Sequence, residues 1–195
     1  SGLILWFYFL VSHLSDWQES QQELKKAPLL SGMATFPMAG MILSTYLLRI
    51  LPTSMGIIAQ ALWWFAFLLD VGLIIYFTKN YVQTKPRTNA TPSWTVLYVG
   101  IAVASLTYPV VGIVEIAYGA WIFGFTLTLY LYPLIYQDLK SNPLPRALLG
   151  QEGIYCAPFS LLLAALVRIG GSGLHGWILL VMILASQTFF FFVLC

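Results

Sequence analysis

From Met55 to Phe77 the chain reads MGIIAQALWWFAFLLDVGLIIYF, an apolar run with one charged residue, Asp70. A bilayer core about 30 Å thick takes roughly 20 such residues as a helix. Comparable runs recur along the chain. Of its 195 residues 59% are hydrophobic and only 8% charged, with a mean hydropathy of +0.84, whereas soluble domains carry about a quarter charged residues. Too few polar side chains remain to face water. Lipid is therefore the solvent, and the chain reads as an all-α integral membrane protein.

Seven segments follow on the same length criterion. Segment A is a partial span from Gly2 to about His13. Segment B covers about Leu29 to Ile50, C Met55 to Phe77, D Ser93 to Tyr108, E Gly112 to Gln137, F Gly153 to Arg168, and G Leu174 to the end. "NATPSW" offers Thr91 as a cap and Pro92 in the first turn of segment D. Segments D and F are short for full spans and carry Pro or Gly, so a kink or partial unwinding is expected in each. The chain opens on half a span, "SGLILWFYFLV", and closes on "FFFFVLC". The expectation is a single transmembrane domain over residues 1–195, part of a longer protein.

The A–B, C–D and E–F loops hold Lys25, Lys26, Lys79, Lys85, Arg87, Lys140 and Arg146, against only Arg49 and Arg168 on the opposite side. The positive-inside rule then places those three loops in the cytoplasm and the protein in the plasma (inner) membrane. The sequon at Asn89 falls on the cytoplasmic side and is discounted. A net charge of +2, with the cations in loops, excludes a nucleic-acid partner. Cys156 and Cys195, both in apolar surroundings, form neither a disulfide framework nor a metal pattern. The two histidines, His13 and His175, fall on opposite sides of the membrane. H-E-x-x-H, G-x-S-x-G and nucleotide-loop motifs are all lacking, so the chain is not read as an enzyme and no cofactor or metal is expected.

Two kinds of helix alternate. Segments B, D and F are rich in small residues and proline: Gly32, Pro37, Gly40 and Ser44 in B; Gly100, Ser105, Thr107 and the closing Pro109 in D; Pro158, Ser160 and Ala164 in F. Segments C, E and G carry bulky aliphatic and aromatic runs, which suit a lipid-facing surface. Each small-residue helix paired with a bulky one makes a hairpin, and hairpins repeated around an axis would enclose a central pore. An aromatic beside a proline marks each inner helix: Phe36-Pro37, Tyr108-Pro109 and Pro158-Phe159. Pro37 has no N–H, so the Met33 carbonyl loses its helical donor and segment B should bend. In lipid such a break is tolerated where it is buried in protein or borders a watery cavity. Gly32, Phe36, Gly40 and Ser44 fall every fourth residue and so share one face. That face fits a pore wall. It equally fits close packing of helices, the usual use of small-residue stripes in membranes.

"FPMAGMILSTYLL", "DVGLIIYFTKNYV", "PSWTVLYVGIAVASLTYP" and "APFSLLLAAL" resemble the tellurite-resistance/dicarboxylate transporter family, which takes in the yeast malate permease and the plant slow anion channels. The resemblance covers nearly the whole chain and is strongest to Gram-positive bacterial members. It implies a bundle of ten helices in five hairpins, kinked inner helices lining a central pore, frequent assembly as a homotrimer, and passage of small anions or dicarboxylates. On that pattern the first inner helix and the last hairpin lie outside this chain. The family's gating phenylalanine, on the fifth hairpin's inner helix, lies beyond Cys195. Phe36 and Phe159 then stand as further pore-side rings.

Charges near the membrane complete the candidates. Asp70, on segment C, is a candidate proton-linked carboxylate or an acid facing a neighbouring helix. Arg49 and Arg168, with Glu115 at the start of segment E, are candidates for an outer vestibule that gathers anions; arginine at a helix end also serves as a snorkelling anchor. Ser105, Thr107 and Ser160 are candidate hydrogen-bond donors to an anion. The reading is a membrane transporter or channel for small anions or dicarboxylates. The rival is a structural or assembly subunit that transports nothing.

Overall fold

The computed structural model describes residues 11, 27–52, 55–84, 90–143, 153–154, 157–171 and 176–194, with side chains as far as 188. Segment A lies outside the described residues. The remaining segments appear as α1 (Ala27–Gly32) and α2 (Thr35–Ile50), α3 (Gly56–Phe77), α4 (Ser93–Gly100) and α5 (Val103–Thr107), α6 (Val114–Ser141), α7 (Ala157–Gly170) and α8 (Gly176–Leu194). One wide π turn, Thr78–Val82, continues α3, and a tight 3-10 turn, Tyr108–Val110, continues α5. Ala27–Ile50, Gly56–Val82 and Val114–Ser141 are each long and apolar enough to cross a membrane, and the bent pair Ser93–Gly100 with Val103–Val110 passes the same test when its two helices are taken together. All the regular structure among the described residues is helical, and the protein is an all-α membrane protein.

Two of the small-residue segments, B and D, are broken, and the breaks are closed by short bonds. Segment B tightens at Met33–Ala34. There the Phe36 N–H donates to Met33 O at 3.0 Å and the Thr35 hydroxyl to Gly32 O at 2.9 Å. The carbonyl that Pro37 should orphan is thus taken by the residue before the proline. Pro37 itself sits in the first turn of α2, where a missing N–H costs nothing. Segment D bends by 41° at Ile101–Ala102, well before Pro109. Its N–H groups there turn to three-residue bonds, Ala102 to Val99 O and Ala104 to Ile101 O, both at 2.9 Å. In segment F the described residues are helical from Ala157 to Gly170, with Pro158 the second of them. Thr91 does not cap α4 with its hydroxyl; its main-chain carbonyl accepts the Trp94 N–H at 2.9 Å.

Packing follows the hairpins. α2 packs chiefly on α3, α4 and α5 on α6, and α7 on α8. The inner helices also touch in sequence order, α5 lying between α2 and α7. They form an arc with α5 at its middle and the bulky helices behind. Polar bonds staple the rows together. Trp63 Nε1 donates to Thr107 Oγ1 at 2.7 Å, Ser105 Oγ to Ala117 O at 2.7 Å, and Trp121 Nε1 to Leu162 O at 2.8 Å. Thr78 gives its one proton to Ile74 O, so Tyr98 donates to Thr78 at 2.7 Å. In membranes each such bond contributes on the order of 0.6 kcal/mol. Their value here is registry, because each ties an inner helix to a long outer one.

Candidate functional site

Among the described residues two cavities touch α2, the bent α4–α5 pair and α7. The first, about 350 Å³, lies at the end of the bundle that carries the two arginines. α2 contributes Ile42, Thr45, Leu48 and Arg49; α5 and its 3-10 turn contribute Leu106, Thr107, Pro109 and Val110; α7 contributes Arg168. Arg49 and Arg168 are far apart in sequence and on helices that do not pack directly on one another, yet they share this space. Two of its lining side chains are hydroxyls, and both have their single protons committed. Thr45 Oγ1 donates to Ile42 O at 2.7 Å, and Thr107 Oγ1 to Val103 O at 2.9 Å while accepting from Trp63. The guanidinium groups of Arg49 and Arg168 make no hydrogen bond or ion pair among the described residues, so they are the uncommitted donors of the cavity. Each carries five N–H donors and a charge that persists at any physiological pH.

The second cavity, about 220 Å³, opens at the end that carries Lys79 and Lys140. It is bordered by Met38 of α2, by Thr95, Val96, Val99 and Gly100 of α4, by Ala157, Pro158 and Leu161 of α7, and by Ile154. On α2 the two cavities are lined by one face. Stepping back from Arg49 by four, three and four residues gives Thr45, Ile42 and Met38, the stride of a helix stripe. A larger space, about 400 Å³, lies on the outer side between α3 and α6, over Trp94 and Tyr98, and its lining is almost wholly apolar. Its one charged lining residue is Lys79.

The other candidates fall in several places. Gly100, Thr107, Pro109 and Pro158 border one cavity or the other. Pro37, Gly40 and Ser44 are buried and border neither, on a different face of α2; Ser44 donates to Met41 O. Phe36, half-buried, also stands off both cavities. Ser105 is buried and spends its proton on Ala117 O. Phe159, 7% exposed, packs against Tyr132 with ring centroids 5.4 Å apart. Ser160 bonds Ser186 of α8 at 2.6 Å, on the far side from the cavities. Glu115 is exposed at the start of α6 and does not border the vestibule. Asp70 is fully buried, and neither carboxylate oxygen has a hydrogen-bond partner among the described residues. Trp63, seven residues before it, reaches Thr107, and Phe77, seven after, meets Trp94 and Tyr98. Asp70 is therefore level with the Ile101–Ala102 bend, but behind the inner helices. Sequence reasoning passed over Met38 and Ile42, and counted Thr45 only among the small residues of segment B. The signal that finds them is the stripe leading back from Arg49. No group of three or more metal-ligating side chains converges among the described residues.

Inner helices that border clefts toward both ends, one carrying two arginines uncommitted among the described residues, and apolar helices behind them define a multi-pass helical membrane protein. Residues 2–195 match the family described as voltage-dependent anion channel, and the chain belongs to that family. It is the same family that the segment motifs resemble under the name tellurite-resistance/dicarboxylate transporter. Its members are anion channels or transporters rather than enzymes. No curated protein matches the chain.

Proposed function

We propose that this protein passes small anions or dicarboxylates across the plasma membrane along the shared faces of α2, α4–α5 and α7. The lysine-bearing loops lie in the cytoplasm and the Arg49–Arg168 cavity is the outer entrance. The observation that carries the reading is the chemistry of that cavity. Its hydroxyls are committed to their own helices, its walls are otherwise apolar, and its uncommitted donors are two permanent cations. Such a space raises the local concentration of anions and holds them weakly, which conduction requires. Membership of an anion channel family supports the same reading. The path below the vestibule carries no Lys or Arg among its described lining residues, which suits release over capture.

Full-length protein in liposomes tests this. Outward gradients of chloride, nitrate, malate and tellurite are imposed in turn, and efflux is followed with an ion electrode or tracer. The expected result is flux of at least one anion above that of empty liposomes. Absence of flux for all four, from a preparation with a cooperative melt, favours the structural-subunit reading instead.

A further inference from the structure

On α2 the linings of the two cavities are four residues apart, and the lower one ends at a flexible side chain, Met38. Met38 borders the lower cavity, and Ile42, about 6 Å further along the same face of α2, borders the upper. The side chain of Met38 lies along Gly100, the last residue of α4 before the bend. A Cβ placed on Gly100 would meet Met38 Sδ at 2.7 Å, Cγ at 3.3 Å and Cε at 3.5 Å. Real side chains do not tolerate the first of these distances, so the absence of a side chain at position 100 is what allows the thioether to rest there. The neighbouring wall is rigid. Val103 is 2% exposed, Ala102 and Ala165 are fully buried, and Gly124 of α6 backs the bend, with Ala102 Cβ at 3.4 Å from the place its own Cβ would take. Among the residues at this level, Met38 combines partial exposure with three rotatable side-chain bonds and a soft, unbranched end. It can move where its neighbours cannot.

We propose that Met38, seated over Gly100, forms the barrier between the two cavities and sets the upper size of anion that passes. The proposal rests on the reading that the cavities belong to one anion path. An apolar thioether at a narrow point excludes hydrated ions by dewetting and yields when the side chain swings aside. Shortening it should widen the path. Adding a methyl group at Gly100 should drive it out of its recess and toward the open side.

Sided thiol labelling in sealed proteoliposomes tests the barrier without relying on flux. In a Cys156→Ser, Cys195→Ser background of the full-length protein, Ile42→Cys reports on the upper cavity and Leu161→Cys on the lower. A membrane-impermeant thiol reagent is added outside, with protein orientation determined separately. With Met38 present, Ile42→Cys should react from the arginine-bearing end and Leu161→Cys from the lysine-bearing end. Met38→Ala should raise labelling of each from the far side at least tenfold, while Met38→Leu, which keeps the bulk, should preserve sidedness. In flux assays Met38→Ala should raise malate relative to chloride, and Gly100→Ala should shift the ratio in either direction only while Met38 is present. Sidedness unchanged in a folded Met38→Ala protein overturns the proposal, as does labelling of both positions from both ends with Met38 intact. If the parent conducts no tested anion, the transport reading fails, and the labelling still decides whether Met38 separates the cavities.

Discussion

Neutralising the vestibule arginines gives a prediction whose size follows from the cavity's dimensions. A space of 350 Å³ has the volume of a sphere about 4 Å in radius, which puts a rim guanidinium about 6 Å from an anion at its centre. At the dielectric constant of water this attraction is about 0.7 kcal/mol, or roughly a threefold gain in local anion concentration per arginine. Arg49→Gln and Arg168→Gln should therefore each lower the flux of dilute tracer chloride about threefold, and the double variant about tenfold, near 10 mM ionic strength. At 1 M ionic strength the screening length shrinks to about 3 Å, and the loss should fall within about 1.5-fold. The assay is tracer uptake into proteoliposomes, with ionic strength set by a salt of an impermeant anion. Unchanged flux at low salt would refute the electrostatic role. An equal loss at both salt concentrations would show that the arginines act by packing or direct contact rather than by their field.

Three further outcomes are expected. Asp70→Val should raise the thermal midpoint in detergent, because a fully buried carboxylate without a hydrogen-bond partner costs about 1–3 kcal/mol; a lowered midpoint would mean that Asp70 has a partner outside the described residues. Gly124→Leu should destabilise the bundle by about 1–3 kcal/mol, since even a Cβ there stands 3.4 Å from Ala102 Cβ and Leu162 Cδ2; an unchanged melt would show that α6 and the bend are loosely seated. Pro37→Ala restores an N–H that can compete with Phe36 for Met33 O. It should straighten segment B and change flux more than membrane insertion, and equal flux in variant and parent would remove the bend from the mechanism.

The helices themselves were legible in the sequence because lipid imposes a one-dimensional rule. A span must be apolar for its whole length and must satisfy its own backbone. Segments B to E appear close to their expected bounds, and the expected break in D is present. Its position was not legible. Segment D offered both Gly100 and Pro109, and the bend falls at Ile101–Ala102, beside the glycine, where Met38 packs on Gly100 and Gly124 backs the break from the other side. The partners of the hydroxyls were not legible for a related reason. A hydroxyl's availability depends on which carbonyl lies within reach, and Ala117 O and Val103 O take the protons of Ser105 and Thr107.

Composition and periodicity alone determined that this chain is a stack of membrane helices, with small-residue, breakable segments alternating with bulky ones. That much is local, since each helix answers to lipid separately. Which stripe of α2 packs and which borders a cavity was decided only by tertiary structure. Gly40 and Ser44 form as regular a stripe as Thr45 and Arg49, and both are compatible with a pore. The folded protein buries the first and leaves the second to share the vestibule with Arg168. The physical reason is that a helix surface has several candidate faces, and only the shape of its neighbours selects among them.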